Sequence, residues 1–357
     1  MESSLFDPFE IRGMRLGNRF VRSATAERMA DDRGVPDERV EALYRRLGEG
    51  GVGLIVTGHA FVHQGGRCHG EMTGAHTDGL VEPLAGLVRA AHAGGAAVAL
   101  QINHGGRACD PSVVEDPVAP SAVPPSGDGP TPRAMDVDDI GKIVEAFGAA
   151  ARRAKDAGFD AVQIHGAHGY LVSQFLSPLA NRRDDAYGGS LSNRARFLKE
   201  VAAVVRSSVG PDFPVLVKLG VTDNLEGGLT TAEGAEVASW LQGFGIDAVE
   251  TSTGGAGAMQ TRITRPEREA YLLETALAVR EKTEIPVILV GGLRSLVTLE
   301  QVLNLGIDLV SLSRPLIREP DLPRKLETLE TEKAACVSCN RCWPKAAGDG
   351  IACKAKK

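Results

Sequence analysis

The chain lacks any long hydrophobic run. No apolar stretch approaches the roughly 20 residues of a bilayer span, and the segment "MESSLFDPFEIRGMRLGNRF" has no apolar h-region of a secretory signal. Charge does not collect in blocks: the formal net charge is −6 and is spread, which argues against a nucleic-acid groove or an anionic membrane surface. Cysteine is sparse, and six thiols in 357 residues are too few for a disulfide scaffold. Paired carboxylates suited to glycoside hydrolysis are missing. So are a G-x-S-x-G motif and a Cys–His pairing for an acyl-enzyme. The expectation from these absences is a soluble, cytoplasmic protein with a small-molecule partner, no nucleic acid and no membrane. A homo-oligomer is left open.

What is present is 43% hydrophobic content, enough for one large core or two modest ones. It falls in eight short runs: "FVRSA" (20–24), "GLIVTG" (53–58), "AVALQIN" (97–103), "AVQIHG" (161–166), "VLVKLG" (215–220), "AVETSTG" (248–254), "VILVGG" (287–292) and "LVSLSR" (309–314). Near-continuous apolar runs of this length are expected of parallel strands buried on both faces. Helical patterns lie between them, including "SNRARFLKEVAAVVRSSVG", for which Ser192 is the N-cap candidate. "GFDAV" (158–162), "GIDAV" (245–249) and "GIDLV" (306–310) form a weak repeat before the fourth, sixth and eighth runs. In each, a left-handed glycine is expected to end a helix and release a strand. Eight alternating units point to an α/β fold, the (β/α)8 barrel, with an open doubly wound sheet as the alternative.

"GEGGVG" (48–53) fits G-x-G-x-x-G, but it follows a helix and precedes a strand. The dinucleotide fingerprint needs the reverse order, so this is a helix-ending loop. The irregular stretch 104–135, rich in Pro, Gly and Ser, follows the third strand and is expected to be a lid or substrate wall. The barrel is placed at residues 1–330 and a Cys-bearing tail at 331–357.

Barrel enzymes draw their chemistry from the C-terminal ends of strands. Those ends are Ser23, Ala24, Thr25, Gly58, Gln101, His165, His168, Lys218, Thr251, Gly291, Gly292, Ser313 and Arg314. The last four suit a phosphate clamp of backbone N–H groups and a guanidinium. For His165 and His168, three readings stand: metal ligands, for which no third ligand is evident, packed loop residues, or paired donors to one electronegative oxygen. In the last, Tyr170 is placed to supply a proton.

"QIHGAHGYLVSQFLSPLANRRDDAYGGSLSNRARF" (163–197) resembles the signature of the old yellow enzyme family, H-x-x-H-G-Y followed by Q-F-L-S-P, N-x-R-x-D-x-Y-G-G-S and N-R-x-R-F. The likeness runs from "FDPFEIRGMRLGNRFVRSA" through "LSRPLIREPDLPRKL". It implies an FMN-dependent ene-reductase that takes electrons from NAD(P)H and reduces the C=C bond of α,β-unsaturated carbonyl compounds. By resemblance, His165 and His168 bind the activating carbonyl and Tyr170 is the proton donor. Ser23, Ala24, Thr25, Gly58 and Gln101 contact the flavin ring. Lys218 stands where relatives often carry Arg, and Gly291, Gly292, Ser313 and Arg314 hold the FMN phosphate. Ala26 departs from the Thr or Cys common there.

The tail carries Cys336, Cys339, Cys342 and Cys353 with C-x2-C-x2-C-x10-C spacing. It resembles the iron–sulfur segment of the family's multidomain branch, one residue short in two gaps. A [4Fe–4S] cluster, a Zn²⁺ site and free thiols all remain open. A cluster would imply the alternative function: an FMN/iron–sulfur oxidoreductase subunit acting on enoyl or dienoyl thioesters or amines, fed by a separate electron-donor protein.

Overall fold

A computed structural model of the chain describes residues 4–125, 129–255 and 268–355. Most of the segment 254–266, expected to shape the pocket, lies outside the described residues. Among the described residues, eight strands of a nine-stranded parallel sheet close the barrel: β1 Phe20–Arg22, β2 Leu54–Val56, β3 Ala97–Asn103, β4 Ala161–Gly166, β5 Val215–Thr222, β6 Ala248–Thr253, β7 Val287–Val290 and β8 Leu309–Leu312. Each pairs with the next. β8 then pairs with β1 through Val310↔Phe20 and Ser311↔Val21, which closes the barrel and excludes the open sheet.

The three-copy repeat has a structural explanation. Gly158, Gly245 and Gly306 take left-handed φ values of 89°, 89° and 91°, as their place after a helix requires. Two residues on, Asp160, Asp247 and Asp308 each use Oδ2 to accept a backbone N–H at the start of the neighbouring strand. The donors are Val98, Val215 and Val287, all at 2.8 Å. The motif therefore clamps β4 to β3, β6 to β5 and β8 to β7.

The barrel interior is stacked in layers two residues apart, the same-face period of a strand. Val21, Ala99, Ala161, Leu216, Ala248 and Leu309 form an apolar layer, sealed from below by Ile11, Met14 and Leu16 of an N-terminal hairpin. Two residues along each strand stand Ser23, Gln101, Gln163, Lys218, Glu250 and Ser311, all polar and all buried. A further two residues reach Thr25, Asn103, His165, Gly220, Ser252 and Ser313. The interior thus turns from hydrocarbon to hydrogen-bonding groups at one level, and the site sits above that level.

Outside the barrel, helix α1 Glu38–Glu49 ends at Gly50, so "GEGGVG" is the helix-ending loop expected of it. The proposed cap Ser192 is corrected. Ser190 accepts the Asn193 N–H at 3.3 Å, capping a short helix Leu191–Arg194 that precedes α2 Arg196–Val209. Ser192 falls inside that first turn, where its hydroxyl meets Ser190 Oγ. The 104–135 stretch is partly ordered by pairing of Val118–Ala119 with Arg133–Ala134. The tail lies against the barrel: Ala334 N–H donates to Arg294 O, Ile351 N–H to Glu27 O, and Arg28 sits 5.8 Å from the Trp343 ring. This docking surface gives a short segment the burial it could not generate alone.

Candidate active site

A cavity of about 590 Å³ opens at the C-terminal mouth, in the range of small-molecule and cofactor sites. Ser23, Ala24, Thr25, Gln101, His165, His168, Tyr170, Lys218, Gly291, Ser313 and Arg314 all line it. Gly58 and Gly292, also expected at the site, do not. The Gly58 N–H is taken by Glu27 Oε1 at 3.1 Å, and a Cβ there would stand 1.9 Å from the same carboxylate. Glu27 is in turn held by the Tyr44 hydroxyl at 2.9 Å and Arg22 at 2.8 Å. Glycine at 58 therefore makes room for a buried carboxylate. Gly292, at φ 74°, lies under Arg268 O and the Tyr271 ring, either of which a Cβ would meet at 2.8 Å.

The aromatic wall is built where β4 ends. His168 adopts φ 60° and Gly169 φ 74°, a tight reversal that returns the chain over the strand end. The His168 N–H donates to Thr253 O, and its Nε2 lies 2.7 Å from Ser252 Oγ. The His165 ring stands edge-on to His168, centroids 5.0 Å apart, and to Tyr170 at 4.8 Å. His59, which the sequence reading did not single out, joins the group 5.0 Å from Tyr170 and 5.9 Å from His165. It directly follows Gly58 at the end of the second strand, so its position in the chain was available as a signal.

Two of these imidazoles, His165 and His59, are neutral. Burial, then the neighbouring His168, His59 and Lys218, hold His165 well below the ordinary histidine range. Burial, then His69 and His168, push His59 down to about 3. The Ala167 N–H donates to His165 Nδ1 at 3.4 Å, and the Asn103 amide reaches His59 Nδ1 at 2.9 Å. Each neutral ring with Nδ1 accepting carries its proton on Nε2. His165 and His59 thus offer N–H donors without fixed charge.

The floor is a hydrogen-bonded network. Lys218 Nζ donates to Ser23 Oγ at 2.7 Å and to Glu250 Oε1 at 2.9 Å. The expected cation is therefore present but paired with a fully buried carboxylate that went unnoticed in the sequence. The same two-residue spacing that places Lys218 inside β5 places Glu250 inside β6. At the rim, Thr25 Oγ1 and Ser313 Oγ are 2.9 Å apart. Arg314 donates to Asn340 Oδ1 at 2.6 Å and Ser338 O at 3.4 Å, so tail residues shape this end. Asn340, Trp343 and Ile351 of the tail also line the cavity.

These residues fit a flat polar ring with a phosphate tail. Lys218 retains a third ammonium proton with no acceptor among the described residues, beside the Gln101 amide on the same cavity. A guanidinium and two hydroxyls, from Arg314, Thr25 and Ser313, line the same cavity. The four tail cysteines border one much smaller cavity of about 20 Å³, space for a water or two and less than a four-iron cluster needs. Among the described residues, no group of three or more His, Cys, Asp or Glu side chains could hold a metal ion. As they stand, these thiols do not fit a cluster.

Residues 4–332 match the model of the NADH:flavin oxidoreductase / NADH oxidase family. The NADPH dehydrogenase of Bacillus pumilus is 36% identical over 350 residues, covering 96% of this chain and 100% of that protein. The NADH oxidase of Thermoanaerobacter brockii is 35% identical over 94% of this chain, but this chain spans only 53% of its length. Among solved structures, the old yellow enzyme homologue from Zymomonas mobilis has a TM-score of 0.80 at 28% identity, covering 97% of this chain and 99% of that one. A 2-naphthoyl-CoA reductase in complex with 2-naphthoyl-CoA has a TM-score of 0.89 at 28% identity, covering 96% of this chain and 55% of that one. The chain belongs to the NADH:flavin oxidoreductase / NADH oxidase family, the old yellow enzyme family of FMN-dependent NAD(P)H oxidoreductases.

Proposed function

We propose that this chain reduces the C=C bond of α,β-unsaturated carbonyl compounds with electrons from NAD(P)H. The observation that carries the reading is the trio of His165, His168 and Tyr170, ring centroids 4.8 and 5.0 Å from His165, on the wall of the cavity. Bound FMN would supply hydride transfer. Gln101, Lys218 and the Ser23–Thr25 segment would hold its ring, with Gly291, Ser313 and Arg314 at its phosphate. The two imidazoles donate to the carbonyl oxygen. Because His165 is neutral, it stabilises negative charge as that charge develops without pairing the ground state to a fixed cation. Tyr170, packed against His59 and His165, holds the proton for the alpha carbon.

The test is a panel of enones, enoates and enoyl thioesters, each assayed for reoxidation of the FMN-loaded, pre-reduced protein. Rapid reoxidation by enones that drops about 10²-fold in Tyr170→Phe supports the assignment. Failure of every unsaturated carbonyl removes it. A second reading, an FMN/iron–sulfur subunit with an outside electron donor, is motivated by all four tail cysteines bordering one cavity, which would have to widen to admit a cluster. Iron and acid-labile sulfide in anaerobically purified protein would support it, and their absence would remove it.

A further inference from the structure

Glu250 does more than neutralise Lys218. Its Oε1 accepts from Ser23 Oγ at 2.7 Å, Ser311 Oγ at 2.8 Å and Lys218 Nζ at 2.9 Å, while Oε2 accepts from Gln163 Nε2 at 3.0 Å. The side chain is fully buried. An ionised carboxylate only accepts, so every neighbour must turn a donor toward it. Gln163 therefore presents its NH2 to Glu250 and its Oε1 to Gln101, whose Nε2 donates back at 2.7 Å. The Gln101 amide is left with its carbonyl oxygen and one N–H for the cavity. Lys218, with two protons committed to Ser23 and Glu250, likewise keeps one for the cavity. Burial alone would raise the Glu250 carboxyl, but the Lys218 ammonium and the hydrogen bonds outweigh it and keep it below the usual range.

We propose that Glu250 is a positioning residue that fixes the polarity of the cavity floor and makes it selective for the imide edge of a flavin. It acts through the Gln163–Gln101 amide chain on one side and through Lys218 on the other. That edge offers one N–H donor flanked by two carbonyl acceptors. An amide presenting oxygen and N–H side by side, with an ammonium proton nearby, is its complement. Were the amide chain reversed, Gln101 would point only N–H groups at the cavity, and the imide N–H would meet no acceptor. The inference rests on the FMN reading above.

The test compares binding of FMN and 3-methyl-FMN, whose imide donor is blocked, to flavin-depleted protein, with midpoint potentials measured on the loaded forms. Wild-type protein is expected to prefer FMN by about tenfold or more, the cost of one buried unsatisfied hydrogen bond. Glu250→Gln, which can donate as well as accept, is expected to bring the two affinities together. It should also shift the midpoint potential upward, because Lys218 is then an unbalanced positive charge under the ring. Glu250→Asp should recover the preference in part. A folded Glu250→Gln protein with the wild-type preference and potential overturns the proposal. If that variant does not fold, Glu250→Gln with Lys218→Met removes both charges together; loss of the preference there supports the role, and its retention overturns it. Wild-type protein that binds FMN without discriminating overturns this inference alone, whereas failure to bind either flavin overturns the FMN reading as well.

Discussion

His165 carries no charge across the neutral range, because burial outweighs any gain from protonation. Binding of a phenol or enone through His165 should therefore show no step near the ordinary histidine pKa of about 6.5. The expected profile, followed by absorbance titration of the FMN-loaded protein, is flat from neutral pH down through that value. A histidine-like step there would mean that a donor imidazole is charged. His165→Ala and His168→Ala should each weaken phenol binding about tenfold or more while FMN stays bound; unchanged affinity would remove the donor pair. The spacing of "HGAHGY" at the end of an apolar run made these residues legible. His59 shares that strand-end position, but its approach to Tyr170 depends on β2, β3 and β4 lying side by side, which the spacing of one motif does not show. Gly58, which the family resemblance placed at the flavin ring, instead gives its N–H to Glu27, a partner that no local sequence signal marks.

At the scale of elements, the glycines of the repeat could be read from the sequence and the aspartates beside them could not. A glycine's left-handed turn is a local property, whereas each carboxylate binds a backbone N–H on a neighbouring strand. Asp308→Ala leaves the Val287 N–H without its side-chain acceptor and should cost about 1–3 kcal/mol of stability. Chemical denaturation would register this as a lower midpoint; an unchanged midpoint would show that the clamp is redundant. The tail is the other element the sequence left ambiguous. Four cysteines drew attention to metal, but the structure shows Asn340, Trp343 and Ile351 lining the main cavity and Asn340 holding Arg314. Asn340→Ala should loosen FMN several-fold without altering the barrel, measured as a faster flavin off-rate; an unaltered rate would limit the tail to packing.

For the whole molecule, eight apolar runs suggested the barrel, but closure depends on the β8–β1 pairing, which joins residues nearly the whole chain apart. The layering inside it follows from two-residue periodicity and is visible in the sequence only once closure is known. The same burial that builds the site makes the fold sensitive to acid. His59 and His104 are pushed down to about 3 and His69 to about 4, in each case by burial first, and His165 also lies well below its ordinary range. The unfolded chain binds these protons near pH 6.5 and the folded chain does not, so stability falls as pH drops from about 6.5 toward 4, by up to about 1.4 kcal/mol per pH unit for each histidine. Denaturation midpoints across that range check this, and a flat profile would mean that the histidines protonate in the fold.

The most direct measurement is a crystal structure of the FMN-loaded protein soaked with a para-substituted phenol. The expected result is the ring of FMN on the Gln101–Lys218 floor and the phenol oxygen within hydrogen-bonding distance of both His165 and His168. A phenol oxygen remote from both imidazoles, or FMN bound anywhere but this cavity, would contradict it.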